Sequence, residues 1–370
     1  MTEDYIPRPL MRTLDSHPAL MIATSSDAVT RRKFLNEAAT LAFVAAASTN
    51  AAPAPEDPFV QTVLGPIPAS KLGFTLSHEH VMCDFVGAEE TGGHRWEVAA
   101  VVKRLLPVLT QLKERRVTGF IDCTPAFIGR DPRVLRRLAE ETGLHLVTNT
   151  GYYGGAADKF VPKHAYRESA DQLADRWVRE WENGIEGTGV RPGFIKTGVD
   201  ELSHEGVNLS PIDEKLIRAA ARASRRTGLS VTCHTGGGPA GVAATKLFIE
   251  EGAPAERFIV AHSDGHGLPI NQQVAELGAW VSFDAISRRP LEQHLKLVEA
   301  MTLKHANRLL LSHDNGWYWV GQENGGELRD FNYIHDVFLA AFRKSTGSET
   351  LIRRLLVENP ASAFATKRQI

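Results

Sequence analysis

The chain has 370 residues, 43% hydrophobic and 23% charged, with Lys+Arg 42 against Asp+Glu 44 and a formal net charge of -2. Such a composition describes a globular protein with room for one barrel-sized domain or two smaller ones. It holds no dense basic block that would suggest nucleic acid or an anionic membrane as a partner. Its three cysteines (Cys83, Cys123, Cys233), widely spaced inside apolar runs, read as buried free thiols rather than a disulfide framework.

Residues 1–54 read as a disordered extension followed by a twin-arginine export signal. Arg31 and Arg32 precede Phe34 and Leu35, then a weakly apolar run of small residues and an Ala/Pro-rich segment. Cleavage is expected near Ala51 to Ala54, with Met11 and Met21 as alternative starts. The run from Glu37 to Ala52 is too short and too interrupted by polar residues to span a bilayer. The expectation is a periplasmic or secreted protein, free of the membrane after signal cleavage and folded around any metal before export.

Residues 55–370 show no linker or composition break and are expected to form one domain. Eight short apolar runs alternate with helical patterns: 73–81, 119–124, 144–153, 193–199, 229–236, 258–265, 280–286 and 308–316. Apolar residues at three- and four-residue spacing mark the helices between them, as in "PRVLRRLAEET" and "DEKLIRAAARASRRTG". Gly119, Gly143, Gly228 and Gly278 fit helix C-caps ahead of the next strand. Eight such units predict an α/β fold, a (β/α)8 TIM barrel with a short N-terminal β extension. An open doubly wound sheet is the alternative, but no GxGxxG follows the first strand.

Barrel chemistry sits at the C-terminal ends of strands, and the unusual polar residues fall there. "GFTLSHEHVMCD" carries His78 and His80, two apart and therefore on one strand face, with Glu79 on the other. Two imidazoles aimed at one point suit a divalent transition metal, although on this motif alone a chance pair fits equally well. Lys196 stands alone in the apolar run "GFIKTG"; His234, His262 and Asp314 end the fifth, sixth and eighth runs. A buried lysine is costly as a cation and needs a partner or a neutral state. A neutral lysine amine can add carbon dioxide to form a carbamate whose two oxygens bridge two metal ions.

The ordered set HxH, strand-four Lys, His, His and Asp resembles the amidohydrolase superfamily, in particular its phosphotriesterase-like family. The similarity runs from "TVLGPIPASKLGFTLSHEH" through "RPGFIKTGVDE", "VTCHTG", "VAHSDG" and "LSHDNGW" to "ENPASAFA". The resemblance implies that His78, His80 and Asp314 bind the more buried of two divalent ions, zinc being the expected metal. It implies His234 and His262 on the second, with Lys196 as N6-carboxylysine between them. A metal-bridging hydroxide would be the nucleophile and Asp314 its proton acceptor. Asp264 is the expected shuttle partner of Asp314, with capping of the following turn as its alternative role. Glu79 is expected to serve the barrel rather than the chemistry.

Tyr153, Arg288 and Trp317 are the expected substrate contacts, with Arg289 beside them. Gly154 and Gly155 are expected to leave the loop after the third strand open, and the lactone-hydrolysing relatives carry a tyrosine about where Gly155 falls. Asp284 matches a family position, while the histidine that follows it in efficient phosphotriesterases is Ala285 here. The reading is a small-molecule hydrolase of ester-type bonds (lactone, carboxylic ester or phosphotriester). Its alternatives are an amide or cyclic-amide hydrolase of the same superfamily and a non-catalytic metal-dependent binding protein. Relatives make a homodimer an expectation, without an independent signal in these residues.

Overall fold

Strands buried on both faces need helices on one side and a closed interior on the other, and the apolar runs form such strands. A computed structural model describes residues 58–200 and 209–366. An antiparallel hairpin, β1 (Phe59–Thr62) and β2 (Gly65–Pro68), supplies the expected N-terminal β extension. The barrel follows as β3 (Thr75–Cys83), β4 (Gly119–Asp122), β5 (His145–Val147), β6 (Asn149–Thr150), β7 (Phe194–Val199) and β8 (Val231–Thr235). It is completed by β9 (Phe258–Val260), β10 (Trp280–Phe283), β11 (Leu309–Leu311) and β12 (Gly316–Trp319).

Parallel pairing runs in the orders β12-β3-β4-β5 and β6-β7-β8-β9-β10-β11. β5 and β6 are halves of one run interrupted at Thr148, so only the seam between β11 and β3 remains to be closed. Side chains and backbone close it together: Ser77 Oγ donates to Leu311 O at 3.2 Å, Ser312 Oγ accepts from His78 N at 2.9 Å, and Asp314 N donates to His78 O at 3.0 Å. The fold is the (β/α)8 barrel that the alternation predicted.

Local chemistry explains the helix boundaries. Asp131 accepts from Arg133 N to start Pro132–Thr142, which ends on Gly143 at φ 68. Ser169 and Gln172 form a reciprocal capping box on Ala170–Asn183. Ser210 caps Pro211–Thr227, which stops at Gly228 with φ 75. Gly119 does not cap a helix as expected. It lies in β4 opposite Thr75, where a Cβ would collide with that side chain, and Arg116 (φ 64) makes the left-handed turn instead.

Seven of the eight expected runs form shorter strands in the structure, two of them for one reason. His262 (φ 60) and Asp314 (φ 52) take left-handed backbone angles that no strand accommodates, so β9 and β11 stop before them. The chain just after the eighth run pairs with β3 as β12, with Gly316 opposite His80. The barrel floor is filled by Ile121, Val147, Phe194, Ile259, Trp280 and Leu310, sealed by Val60 of the hairpin and Phe364. The expected export signal lies outside the described residues. Among the described residues no helix is long and apolar enough to cross a membrane.

Candidate metal centre

Strand alternation carries the chemistry upward from this floor. Phe194 packs in the floor, so Lys196, two residues on, faces the same interior; Trp280 likewise leads to Asp284. β3 reaches the same result by an irregularity. Leu76 packs in the helix-facing core, and the pairing with β4 shifts between Leu76 and Glu79. That slip turns His78 and His80 inward. At the ends of β9 and β11 the left-handed backbone re-aims His262 and Asp314 into the mouth, at a cost of about 1–3 kcal/mol each.

His78, His80 and Asp314 offer ligand atoms that all lie within 4.8 Å of one another. His80 Nε2 is 2.9 Å and His78 Nε2 3.8 Å from Asp314 Oδ1. The His262 ring lies 5.1 Å from that of His78 and 4.4 Å from that of His234, centroid to centroid. Lys196 is 2% exposed, with Nζ 3.4 Å from His78 Nε2. Among the described residues no carboxylate oxygen comes within 4.0 Å of that ammonium. All six expected ligands therefore share one cavity, of about 880 Å³.

The electrostatics suit metal binding. Burial, with the charge of Lys196, holds the His78 imidazole down at about 4. Burial and the neighbouring His262 depress His234 far below the usual histidine range. Both rings are therefore neutral, with lone pairs free near pH 7. Burial opposes ionisation of Asp314, but the hydrogen bond from His80 and the surrounding imidazoles outweigh it and keep the carboxylate charged. Neutral imidazoles, a carboxylate and an isolated buried amine fit a pair of divalent cations.

The second nitrogen of each ring is held as well. Thr124 Oγ1 donates its single proton to Asp122 Oδ1 at 3.1 Å, so it accepts from His80 Nδ1 at 2.9 Å. That commits the Nδ1 proton to Thr124 and aims Nε2 at the Asp314 side of the site, the nitrogen a metal would take once its own proton is lost. Thr124→Val is expected to weaken metal affinity about 10–100-fold, read by competition with a chelating dye. Burial drives the Asp122 carboxyl up to about 6. In metal-free protein the folded state thus keeps a proton that the unfolded chain loses near pH 4, and stability falls as pH rises from about 4 to 6. Asp122→Asn is expected to remove a fall on the order of 3 kcal/mol, measured as the difference in urea unfolding between pH 4 and pH 7.

Asp284 joins the two halves of the site. Its Oδ1 accepts from His262 Nδ1 at 2.8 Å and from His262 N at 3.0 Å. Its Oδ2 lies 2.9 Å from His78 Nδ1, off the hydrogen-bond axis. Asp284 N donates to Asp264 Oδ2, and Asp264 Oδ1 pairs with His294 Nε2 at 2.7 Å. Asp264 is therefore occupied in holding Asp284, whereas the partner on Asp314 Oδ2 is Arg288, at 2.9 Å. The expected proton shuttle through Asp264 has no direct contact with Asp314.

Sequence reasoning missed His294, Thr124 and Asp122. His294 had one signal: it shares a helix stripe with the buried Val298 and Met301 of Leu291–His305. His313, next to Asp314, is no ligand. Its Nδ1 pairs with Glu79 Oε1 at 2.7 Å and its Nε2 accepts from Ile334 N at 3.0 Å.

Aromatic rings line one wall of the cavity. Tyr153 lies 4.9 Å from His234 and 6.0 Å from Phe160; Trp317 lies 5.7 Å from His80 and 5.9 Å from Phe85. All three expected substrate contacts, Tyr153, Arg288 and Trp317, line it. The glycine pair after the third strand does not open the loop as expected. Gly154 N donates to Gly198 O at 3.2 Å, and a Cβ on Gly155 would fall 2.9 Å from the Tyr153 ring and 3.0 Å from His234 Cδ2. These glycines let the backbone pack directly on the site.

The model of the Phosphotriesterase family matches residues 58–364, spanning the hairpin, every barrel strand and all six site residues. The chain belongs to the phosphotriesterase family. Its relatives include the "Phosphotriesterase homology protein" of Escherichia coli, 30% identical over 297 residues, covering 79% of this chain and 98% of that protein. The human "N-acetyltaurine hydrolase" is 26% identical over 349 residues, covering 81% and 96%. Among solved structures, the organophosphorus hydrolase from Deinococcus radiodurans superposes with a TM-score of 0.73 at 28% identity, covering 84% of this chain and 98% of that one. This phosphotriesterase-family chain is a hydrolase of a binuclear metal-dependent family, with its candidate metal site at His78, His80 and Asp314.

Proposed function

We propose that the protein hydrolyses ester-type bonds of a small molecule at a pair of divalent metal ions, with zinc the expected metal. His78, His80 and Asp314 would hold one ion, His234 and His262 the other, and Lys196, as N6-carboxylysine, both. The observation that carries this reading is Lys196: a buried amine facing only imidazole, with no carboxylate within 4.0 Å among the described residues. Addition of carbon dioxide to the neutral Lys196 amine, with release of one proton, would give an anionic carbamate whose two oxygens could serve both histidine sets. When bound, the ions supply Lewis acidity towards a P=O or C=O oxygen and bring a water's pKa near neutrality.

The chain's own residues do the rest. Asp314, kept ionised, accepts the proton of the attacking water. Arg288 on its Oδ2 holds the carboxylate in place. Asp284 orients His262 and sits against His78, and the aromatic wall excludes bulk water from the scissile bond. Hydrolysis of p-nitrophenyl acetate and paraoxon, with and without chelator, tests the reading. Chelator-sensitive turnover of either ester is expected; turnover that survives full metal removal overturns it. An amide substrate is the second reading, favoured by the resemblance to a relative named for an amide, N-acetyltaurine. We further propose export through the Arg31–Arg32 signal, supported by the sequence pattern alone.

A further inference from the structure

The lining of the cavity is of two kinds. Besides the aromatic rings, the cavity is lined by Arg288 and Arg289, on the loop after β10, and by Lys159. Two of these three cations are occupied: Arg288 pairs with Asp314 Oδ2 at 2.9 Å, and Lys159 Nζ donates to Phe85 O at 2.6 Å. The acidic groups lining the cavity, Asp264 and Asp314, are held by His294 and by His80 with Arg288. Arg289 is left over, with no carboxylate oxygen within 4.0 Å among the described residues.

Exposure alone would make this an ordinary solvated arginine, but its setting is built. The loop that carries it is pinned: Arg288 N donates to Ala285 O at 2.8 Å, and Asn315 Nδ2 donates to Ser287 Oγ at 3.1 Å. Pro290 follows at once and precedes the helix Leu291–His305. Across the cavity wall, a Cβ on Gly265 would fall 3.1 Å from Arg289 Nη2, so glycine there leaves the guanidinium its space. An uncommitted guanidinium on a held loop lining this cavity matches a planar carboxylate in geometry and charge. A neutral triester makes no use of it.

We propose that the natural substrate carries a carboxylate set apart from the scissile bond, seated on Arg289, with its apolar portion against Phe85, Phe160 and Trp317. The inference rests on the reading of this cleft as a hydrolase site. Its test uses binding, so that the two fail separately. Metal-loaded protein is titrated calorimetrically with 5-oxohexanoate, which is anionic, and 2,6-heptanedione, which is neutral; neither carries a hydrolysable bond. The monoanion is expected to bind about tenfold more tightly, an increment on the scale of one partly desolvated ion pair. Arg289→Ala is expected to bring the two within about twofold, and Arg289→Lys, which keeps charge but loses the fork, to fall between.

Equal binding of the two probes by the unaltered protein overturns the proposal. So does a preference that persists in Arg289→Ala, which would place the anion on the metal ions themselves. Absence of chelator-sensitive ester turnover, with the Arg289-dependent preference intact, counts against the hydrolase reading and leaves the anion seat standing.

Discussion

Lys196→Ala is expected to lower kcat/KM for any turned-over ester by at least about a thousandfold, the several kcal/mol that metal-based activation supplies. Under the proposed metal pair, metal content should fall from two per chain towards one, because the ligand proposed to serve both histidine sets is lost. The lysine is buried beside His78, so alanine leaves a cavity as well as a missing ligand. Added propionate separates these effects. A small carboxylate entering the cavity restores two bridging oxygens without restoring the chain, and partial recovery of metal and activity is expected. Lys196→Arg should show no recovery, since a guanidinium neither forms a carbamate nor leaves space. Unchanged metal content in Lys196→Ala would remove the lysine from the site.

Glu79→Ala is expected to destabilise the fold by about 3–5 kcal/mol, the cost of breaking a buried, fully paired carboxylate. Glu79 is 0% exposed and gathers the end of the barrel's last strand. Its Oε1 accepts from Ser312 Oγ at 2.7 Å, His313 N at 3.0 Å and His313 Nδ1 at 2.7 Å, and its Oε2 accepts from Asn315 N at 2.8 Å. This is the seam that β-pairing leaves open between β11 and β3. It sits one residue from both His78 and His80 and directly behind Asp314. Urea unfolding should show the loss, and Glu79→Gln, which keeps an acceptor, should lose less. A stability change below about 1 kcal/mol would mean that the seam closes without the carboxylate.

Much of this was legible in the sequence because barrels write themselves as alternation. In "GFIKTGV" Lys196 is the one charged residue of an otherwise apolar run but for Thr197, and that isolation makes it legible. His78 and His80 were legible through their spacing, although the strand slip that actually turns them inward leaves no mark in the residues. The left-handed backbone at His262 and Asp314 was not legible either, since it is the surrounding structure that enforces those angles. Thr124, Asp122 and His294 were hidden for another reason. Their types are common at turns and in helices, and only the folded barrel brings Thr124 against His80, Asp122 against Thr124 and His294 against Asp264. Gly155 was misread as slack because a glycine pair in sequence looks the same whether it loosens a loop or lets backbone touch a side chain. Asp264 lies two residues from His262, but its partner Asp284 comes from the next strand, which sequence proximity does not show.

The most direct test of the proposed metal pair is anomalous diffraction from crystals of protein grown with zinc and bicarbonate. Two peaks are expected at the C-terminal mouth of the barrel. One should lie about 2.0–2.2 Å from nitrogens of His78 and His80 and an oxygen of Asp314, the other at the same range from His234 and His262. Density beyond Lys196 Nζ should reach both. A single peak away from these side chains, or no peak at all, would contradict the account.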